Sequence, residues 1–214
     1  TLGLVLMRKL PSVIATENEE FRQENLLGTD LNGKTLGVIG TGHIGQHAVK
    51  IGNGYEMHVI AYDAFPKEEL QQKLNFTYKS LEDVLAESDV LTIHAPYLPA
   101  THHLINTERL QLMKKSAILI NTARGEIVDT AALVEALNSQ TIAGAALDVV
   151  EGEALLNHHE EVALLRSHEI EPDMLRHSVE ISLLKKMPNV IISPHNAFNT
   201  VEAVKRINNT TVSN

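Results

Sequence analysis

Apolar residues in this chain follow two alternating rhythms. Short continuous runs at Thr35–Ile39, His58–Ala61, Val90–His94, Ala117–Ile120, Gly144–Val149 and Val190–Ile192 have the length and composition of buried strands. Between most of them lie stretches of helical spacing, at Ile44–Ile51, Glu68–Lys73, Leu81–Ala86, Thr107–Met113 and Thr130–Asn138. A strand that reads as unbroken apolar is buried on both faces, so the alternation predicts an α/β fold with a parallel sheet covered on both sides. Crossovers in such sheets are almost always right-handed, which leaves a doubly wound sheet as the simplest topology.

Two regions depart from the rhythm. Leu2, Val5, Leu6, Leu10, Ile14 and Phe21 fall near helical spacing up to about Leu27, with Pro11 either kinking that helix or dividing it. A turn-rich stretch, Gly28 to Lys34, follows. We therefore expect a helical segment and linker over residues 1–30 and the main domain over 31–214. Within that domain, residues 153–187 are polar and dotted with histidine, and predict an irregular excursion or a helix around Met174–Lys186.

The glycines add chemistry to this frame. Gly40-Thr41-Gly42-His43-Ile44-Gly45 is a G-x-G-x-x-G loop directly between a predicted strand and a predicted helix. Gly40 permits the tight turn, Gly42 lets backbone approach a pyrophosphate, and Gly45 allows the helix to pack closely on the strand. The helix N-terminus then presents free N–H groups to the phosphates. Asp63, about 20 residues beyond the loop at the end of the next strand, is placed to accept the adenosine ribose hydroxyls. A carboxylate there repels a 2′-phosphate, which favours NAD over NADP. A lone glycine motif arises by chance and Asp63 has a turn-like neighbourhood, but the complete strand–loop–helix–strand–acid order favours a Rossmann-type dinucleotide domain.

Three further segments follow strand ends: Asn121-Thr122-Ala123-Arg124-Gly125, Leu147 to Glu153, and Ser193-Pro194-His195-Asn196-Ala197-Phe198. Ligands of open parallel sheets bind outside the carboxyl ends of the strands, so an Arg, a Glu and a His converge on one crevice. Arg124 suits a substrate carboxylate through its planar fork. His195 suits proton transfer near neutral pH. Glu153 suits the partner that orients the imidazole and favours its charged form.

The glycine loop, the segment Leu91 to Thr101 and these Arg, Glu and His segments together resemble the D-isomer-specific 2-hydroxyacid dehydrogenases, from about Leu31 to Val204. Glu151-Gly152-Glu153 and His195 to Phe198 are most similar to the D-lactate dehydrogenase and vancomycin-resistance branch. The resemblance implies hydride transfer between NAD(H) and C2 of a small 2-oxo or D-2-hydroxy acid, with Arg124 on the carboxylate, His195 as acid/base and Glu153 beside it. It also implies that His43 and Ile44 meet the pyrophosphate, and that Ala95, Pro96, Thr101, Thr122, Ala123 and Asp148 line the nicotinamide side. A homodimer formed through the N-terminal helix is implied as well. Two departures stand out. Asn53-Gly54 replaces an expected bulky apolar residue and is expected to loosen its helix end. The substrate domain and the return helix of the family are not recognisable, so the chain reads as a cofactor domain alone, inactive by itself. The alternative is a non-catalytic, redox-sensing NAD-binding module or truncated remnant.

Composition narrows the field. A formal net charge of -9 without a Lys/Arg cluster argues against a nucleic-acid partner. No apolar run approaches the about 18 residues of a membrane span. The absence of cysteine removes disulfides and thiolate metal sites and fits a cytoplasmic location. With 11 histidines, most must be surface or structural; His158, His159, His168 and His177 have no zinc-like spacing, and His102-His103 reads as a loop feature. We expect no metal.

Overall fold

The computed structural model describes residues 1–15, 26–153 and 172–212. The chain opens with two short helices, α1 (Leu2–Met7) and α2 (Leu10–Ala15). There follow β1 (Thr35–Ile39), α3 (His43–Gly54), β2 (His58–Tyr62), α4 (Glu68–Leu74), β3 (Thr77–Tyr78), α5 (Leu81–Glu87) and β4 (Val90–Ile93). The second half comprises α6 (Thr107–Leu112), β5 (Ile118–Asn121), α7 (Thr130–Asn138), β6 (Gly144–Leu147), α8 (Pro172–Lys186), β7 (Val190–Ile192) and α9 (Val201–Val212).

All seven strands form one parallel sheet in the order β3-β2-β1-β4-β5-β6-β7. The expected doubly wound α/β sheet is therefore present. Alternation along β1 shows how the sheet divides its side chains. Leu36 and Val38 join a cluster with Val49 of α3, Leu70 of α4 and Leu6 and Met7 of α1. Ile39 faces the other way, into a cluster with Leu85 of α5, Leu110 of α6, Leu133 of α7 and Ile181 of α8. Two apolar layers thus sandwich the sheet, and the helices shield both. Side-chain oxygens start three helices on this second face: Ser80, Asn106 and Asp129 accept from the N–H groups of Asp83, Arg109 and Ala132.

Several expectations change. The N-terminal helix is divided rather than kinked, at Lys9, whose φ is 50°. Pro11 sits in the first turn of α2, where its missing N–H costs nothing. Leu6 and Met7 are part of the core, so α1 packs on the sheet. Of the two readings of the excursion, the helix expected around Met174–Lys186 is the one present: α8 spans Pro172–Lys186 and contributes Ile181 and Leu184 to the core. The rest of that excursion, with His158, His159 and His168, and residues 16–25 of the N-terminal segment lie outside the described residues. α3 is not loosened by Asn53-Gly54: it runs through Gly54, and the Asn53 amide donates to the Leu74 carbonyl at 2.5 Å, tying it to α4. Strand β3 and helix α9 were not expected. That the chain carries no helix after His195 is thereby corrected: α9 occupies Val201–Val212.

Candidate functional site

The strand order reverses between β1 and β4, since β1 leads to β2 on one side while β4 lies on the other. Loops leaving their carboxyl ends part there and open a crevice. Gly40 sits in it with φ of 89°. A Cβ at Gly40 would lie 2.8 Å from the His94 carbonyl, so the glycine loop rests against the start of the His94-Ala95-Pro96 loop. A Cβ at Gly45 would stand 1.9 Å from the Gly40 carbonyl oxygen. Both glycines are required by neighbouring protein atoms.

Gly42 is different. A Cβ there would meet nothing within 4 Å, and the residue is exposed. No protein neighbour accounts for the small residue, whereas a pyrophosphate laid along the backbone would. α3 begins at this point with no side-chain cap, leaving its N-terminal N–H groups to a ligand, and His43 and Ile44 occupy its exposed first turn. This cradle fits a dinucleotide.

Asp63, just beyond β2, closes the far side. Its Oδ2 accepts from the Thr41 N–H and the Thr41 hydroxyl, each at 2.7 Å, and its Oδ1 accepts from the Phe65 N–H at 2.9 Å. Partial burial works against the charge, but these hydrogen bonds and nearby Lys67 outweigh it, so the carboxyl lies below its ordinary value and is ionised at neutral pH. At the centre of the crevice, burial pulls the His94 imidazole down to about 4, so the ring is neutral under the same conditions. The Thr92 hydroxyl lies 3.0 Å from its Nε2.

The candidate reactive residues follow three neighbouring strands. Arg124 is exposed, three residues beyond β5, and its Nη1 donates to the Ala123 carbonyl at 2.6 Å. Buried Asn121 shapes this loop from below: its amide donates to the Arg124 carbonyl at 2.8 Å, and its Oδ1 accepts from the Ala123 N–H at 3.0 Å. Thr122 and Ala123 are partly buried between them. His195 follows β7, and its Nδ1 lies 2.9 Å from Glu153 Oε1. The other oxygen, Glu153 Oε2, is buried and has no hydrogen-bond partner among the described residues. Asp148 is 2% exposed beneath the His195 loop, accepting from the Ser193 hydroxyl and from the N–H groups of Asn196 and Ala197. Its carboxylate thereby holds the loop that carries the histidine. Across the crevice, the Thr101 hydroxyl donates to the Pro96 carbonyl at 2.8 Å and closes the loop after β4.

Three contacts escaped the sequence reading. Glu151, 6% exposed, accepts from the Thr130 N–H and hydroxyl through Oε2 and stands 2.7 Å from His103 Nε2 through Oε1. A Cβ at Gly125 would fall 2.2 Å from the Val150 carbonyl carbon, so the Arg124 and Glu153 loops touch backbone to backbone. Tyr78, on the edge strand, bonds Thr41. His103 and Glu151 are 48 residues apart, and only the folded sheet reveals their pairing. Among the described residues no group of three or more His, Asp or Glu is arranged to hold a metal ion. No described helix is long and apolar enough to cross a membrane.

The chain is similar to known proteins. Residues 1–197 match the model of the D-isomer specific 2-hydroxyacid dehydrogenase NAD binding domain. The glyoxylate reductase of Aeropyrum pernix is 42% identical over 85% of this chain and 48% of its own length. The D-specific alpha-keto acid dehydrogenase of Enterococcus faecalis is 39% identical over all of this chain and 61% of its own. Among solved structures, the D-lactate dehydrogenase of Aquifex aeolicus, complexed with NAD and lactic acid, superposes with a TM-score of 0.88 at 38% identity, covering 99% of this chain and 62% of that one. The chain thus spans about half to three fifths of the length of the relatives it matches. On this evidence the chain belongs to the D-isomer specific 2-hydroxyacid dehydrogenase family and matches its NAD-binding domain.

Proposed function

We propose that this chain is the cofactor-binding part of an NAD-dependent D-2-hydroxyacid dehydrogenase acting on a small 2-oxo acid, D-lactate and pyruvate being the first pair to try. The observation that carries the proposal is the His195–Glu153 pair, 2.9 Å apart, on the same sheet edge as the glycine cradle. A purely redox-sensing module needs no proton donor, and this pair would have no task in one.

On this reading the residues divide the labour. NAD(H), when bound, supplies or accepts the hydride. Asp63 takes the adenosine ribose, and the backbone from Gly40 to Gly45 takes the pyrophosphate. Ala95, Pro96, Thr101, Thr122, Ala123 and Asp148 flank the nicotinamide end. Arg124 holds the substrate carboxylate through paired N–H donors. With Nδ1 turned to Glu153, His195 Nε2, which has no hydrogen-bond partner among the described residues, gives a proton to the C2 oxygen on reduction and takes it back on oxidation. Glu153 fixes the ring orientation and stabilises the imidazolium.

A cytoplasmic homodimer completes the reading. Leu10, Val13 and Ile14 of α2 are 40%, 40% and 63% exposed, an apolar face suited to a second copy, and light scattering would check the assembly. The decisive experiment is on the full-length protein that contains this chain, assayed for NADH consumption with pyruvate and other 2-oxo acids. His195→Ala should lower kcat by about 10²- to 10⁴-fold, the usual contribution of a positioned general acid, and leave the Kd for NADH nearly unchanged. Full turnover in that variant would remove His195 from the mechanism.

A further inference from the structure

Tyr78 lies on the two-residue edge strand β3, where the pairing Ala61↔Tyr78 brings it alongside the end of β2 and hence next to Asp63. Its hydroxyl is 2.7 Å from Thr41 Oγ1. The direction of that hydrogen bond can be settled by counting protons. Thr41 has one hydroxyl proton, and an ionised carboxylate is an acceptor only. The 2.7 Å contact from Thr41 Oγ1 to Asp63 Oδ2 uses that proton. Tyr78 must therefore donate to Thr41. Its own oxygen accepts from the Lys67 N–H at 3.4 Å. A directed relay results: Lys67 N–H to Tyr78 OH, Tyr78 OH to Thr41 OH, Thr41 OH to Asp63.

The relay has a rigid base. The Tyr78 ring meets Phe76 edge-on at 4.8 Å between centroids, its N–H donates to Gln71 Oε1 at 2.8 Å, and Thr41 is 5% exposed. Three of the roughly four lone-pair positions of the Asp63 carboxylate are taken by Thr41 and Phe65, leaving one on Oδ1 for a ribose hydroxyl. A carboxylate held in this way cannot turn aside to make room for a 2′-phosphate.

We propose that Tyr78 is a positioning residue for cofactor selectivity, orienting Thr41 so that Asp63 is locked in the conformation that accepts NADH and rejects NADPH. The inference rests on the nucleotide reading of the cradle, but assigns the discrimination to a side chain outside the glycine motif and outside the acidic position.

The test is calorimetric titration of the chain and its Tyr78→Phe variant with NADH and NADPH separately. Phenylalanine keeps the ring and its contact with Phe76, so the thermal midpoint serves as a check that the fold is intact. The ratio of the NADPH Kd to the NADH Kd should fall about fivefold, the size of one neutral hydrogen bond's net contribution. A merely structural tyrosine would weaken both nucleotides alike and leave the ratio where it was, and that result would overturn the proposal. Unchanged affinities for both would overturn it as well. If the unmodified chain bound neither nucleotide, the nucleotide reading itself would fall and this inference with it, whereas an unchanged ratio beside firm NADH binding would remove only the role of Tyr78.

Discussion

Asp63 and His195 both stand at carboxyl ends of strands in one sheet, yet they are held in contrasting ways. Asp63 receives three hydrogen bonds from its own neighbourhood, from Thr41 and Phe65, and the cradle beside it is closed by protein atoms at Gly40 and Gly45. His195 has Glu153 as its side-chain partner, with the two side chains 43% and 42% exposed, and Arg124 is open to solvent. An ion pair this exposed contributes at most about 1 kcal/mol, because water competes for both groups. The nucleotide end is thus preorganised within the chain. The proposed substrate end is positioned but wet, and its electrostatics strengthen only when water is excluded from it.

The contrast is sharpest in the glycines. Gly45→Ala puts a carbon 1.9 Å from the Gly40 carbonyl oxygen, so the loop must open, and NADH binding should weaken by more than about 100-fold, the result of losing several backbone hydrogen bonds to phosphate. Gly42→Ala meets no protein atom. Its thermal midpoint should match the parent's while NADH affinity drops. A Gly42→Ala chain that binds NADH normally would show that the cradle is not the pyrophosphate site.

The seam between the two ends is probed by pH. His94 has a folded-state value of about 4 against 6.5 when unfolded, so below about pH 6.5 the unfolded chain binds the proton that the folded chain refuses. Its contribution to stability is complete above 6.5 and is lost as the pH falls toward 4, at most about 3 kcal/mol in all. Urea denaturation across that range should show the decline, and His94→Asn should flatten it. An equal slope in both proteins would mean that another group carries it.

The smallest effect concerns the open end. Arg124→Lys retains the charge but not the fork. The KM for a 2-oxo acid in the full-length protein should rise about tenfold, roughly the difference between a bidentate and a single charged contact, with NADH affinity unaltered. An equal change in NADH affinity would erase the division between the two ends.

This division also decides what could be read from the sequence. The βαβ unit with its glycines and Asp63 is local, and six of seven strands follow from apolar runs. β3 was missed because two residues on a sheet edge carry no periodicity. α9 was missed because Val201, Val204 and Ile207, although at helical spacing, make only a narrow stripe in an otherwise polar segment. Arg124, Glu153 and His195 were legible from their places after strands. Their supports were not. Asn121 reads as the first residue past a strand, and Asp148 as a residue beside the nicotinamide, whereas each organises a loop through side-chain hydrogen bonds. His103–Glu151 and Tyr78–Thr41 join residues distant in sequence, and sequence spacing holds no trace of such pairs.

The contact of Gly40 with His94 has a kinetic corollary. β1 leaves the ribosome long before β4, yet the crevice has no second wall until Leu36–Ile39 pair with Val90–Ile93. Such non-local parallel pairing is slow to form. A nucleotide therefore finds nothing to hold in a partly folded chain and acts on the finished sheet alone. It would prolong the lifetime of the native state by slowing its unfolding and leave the rate of folding untouched.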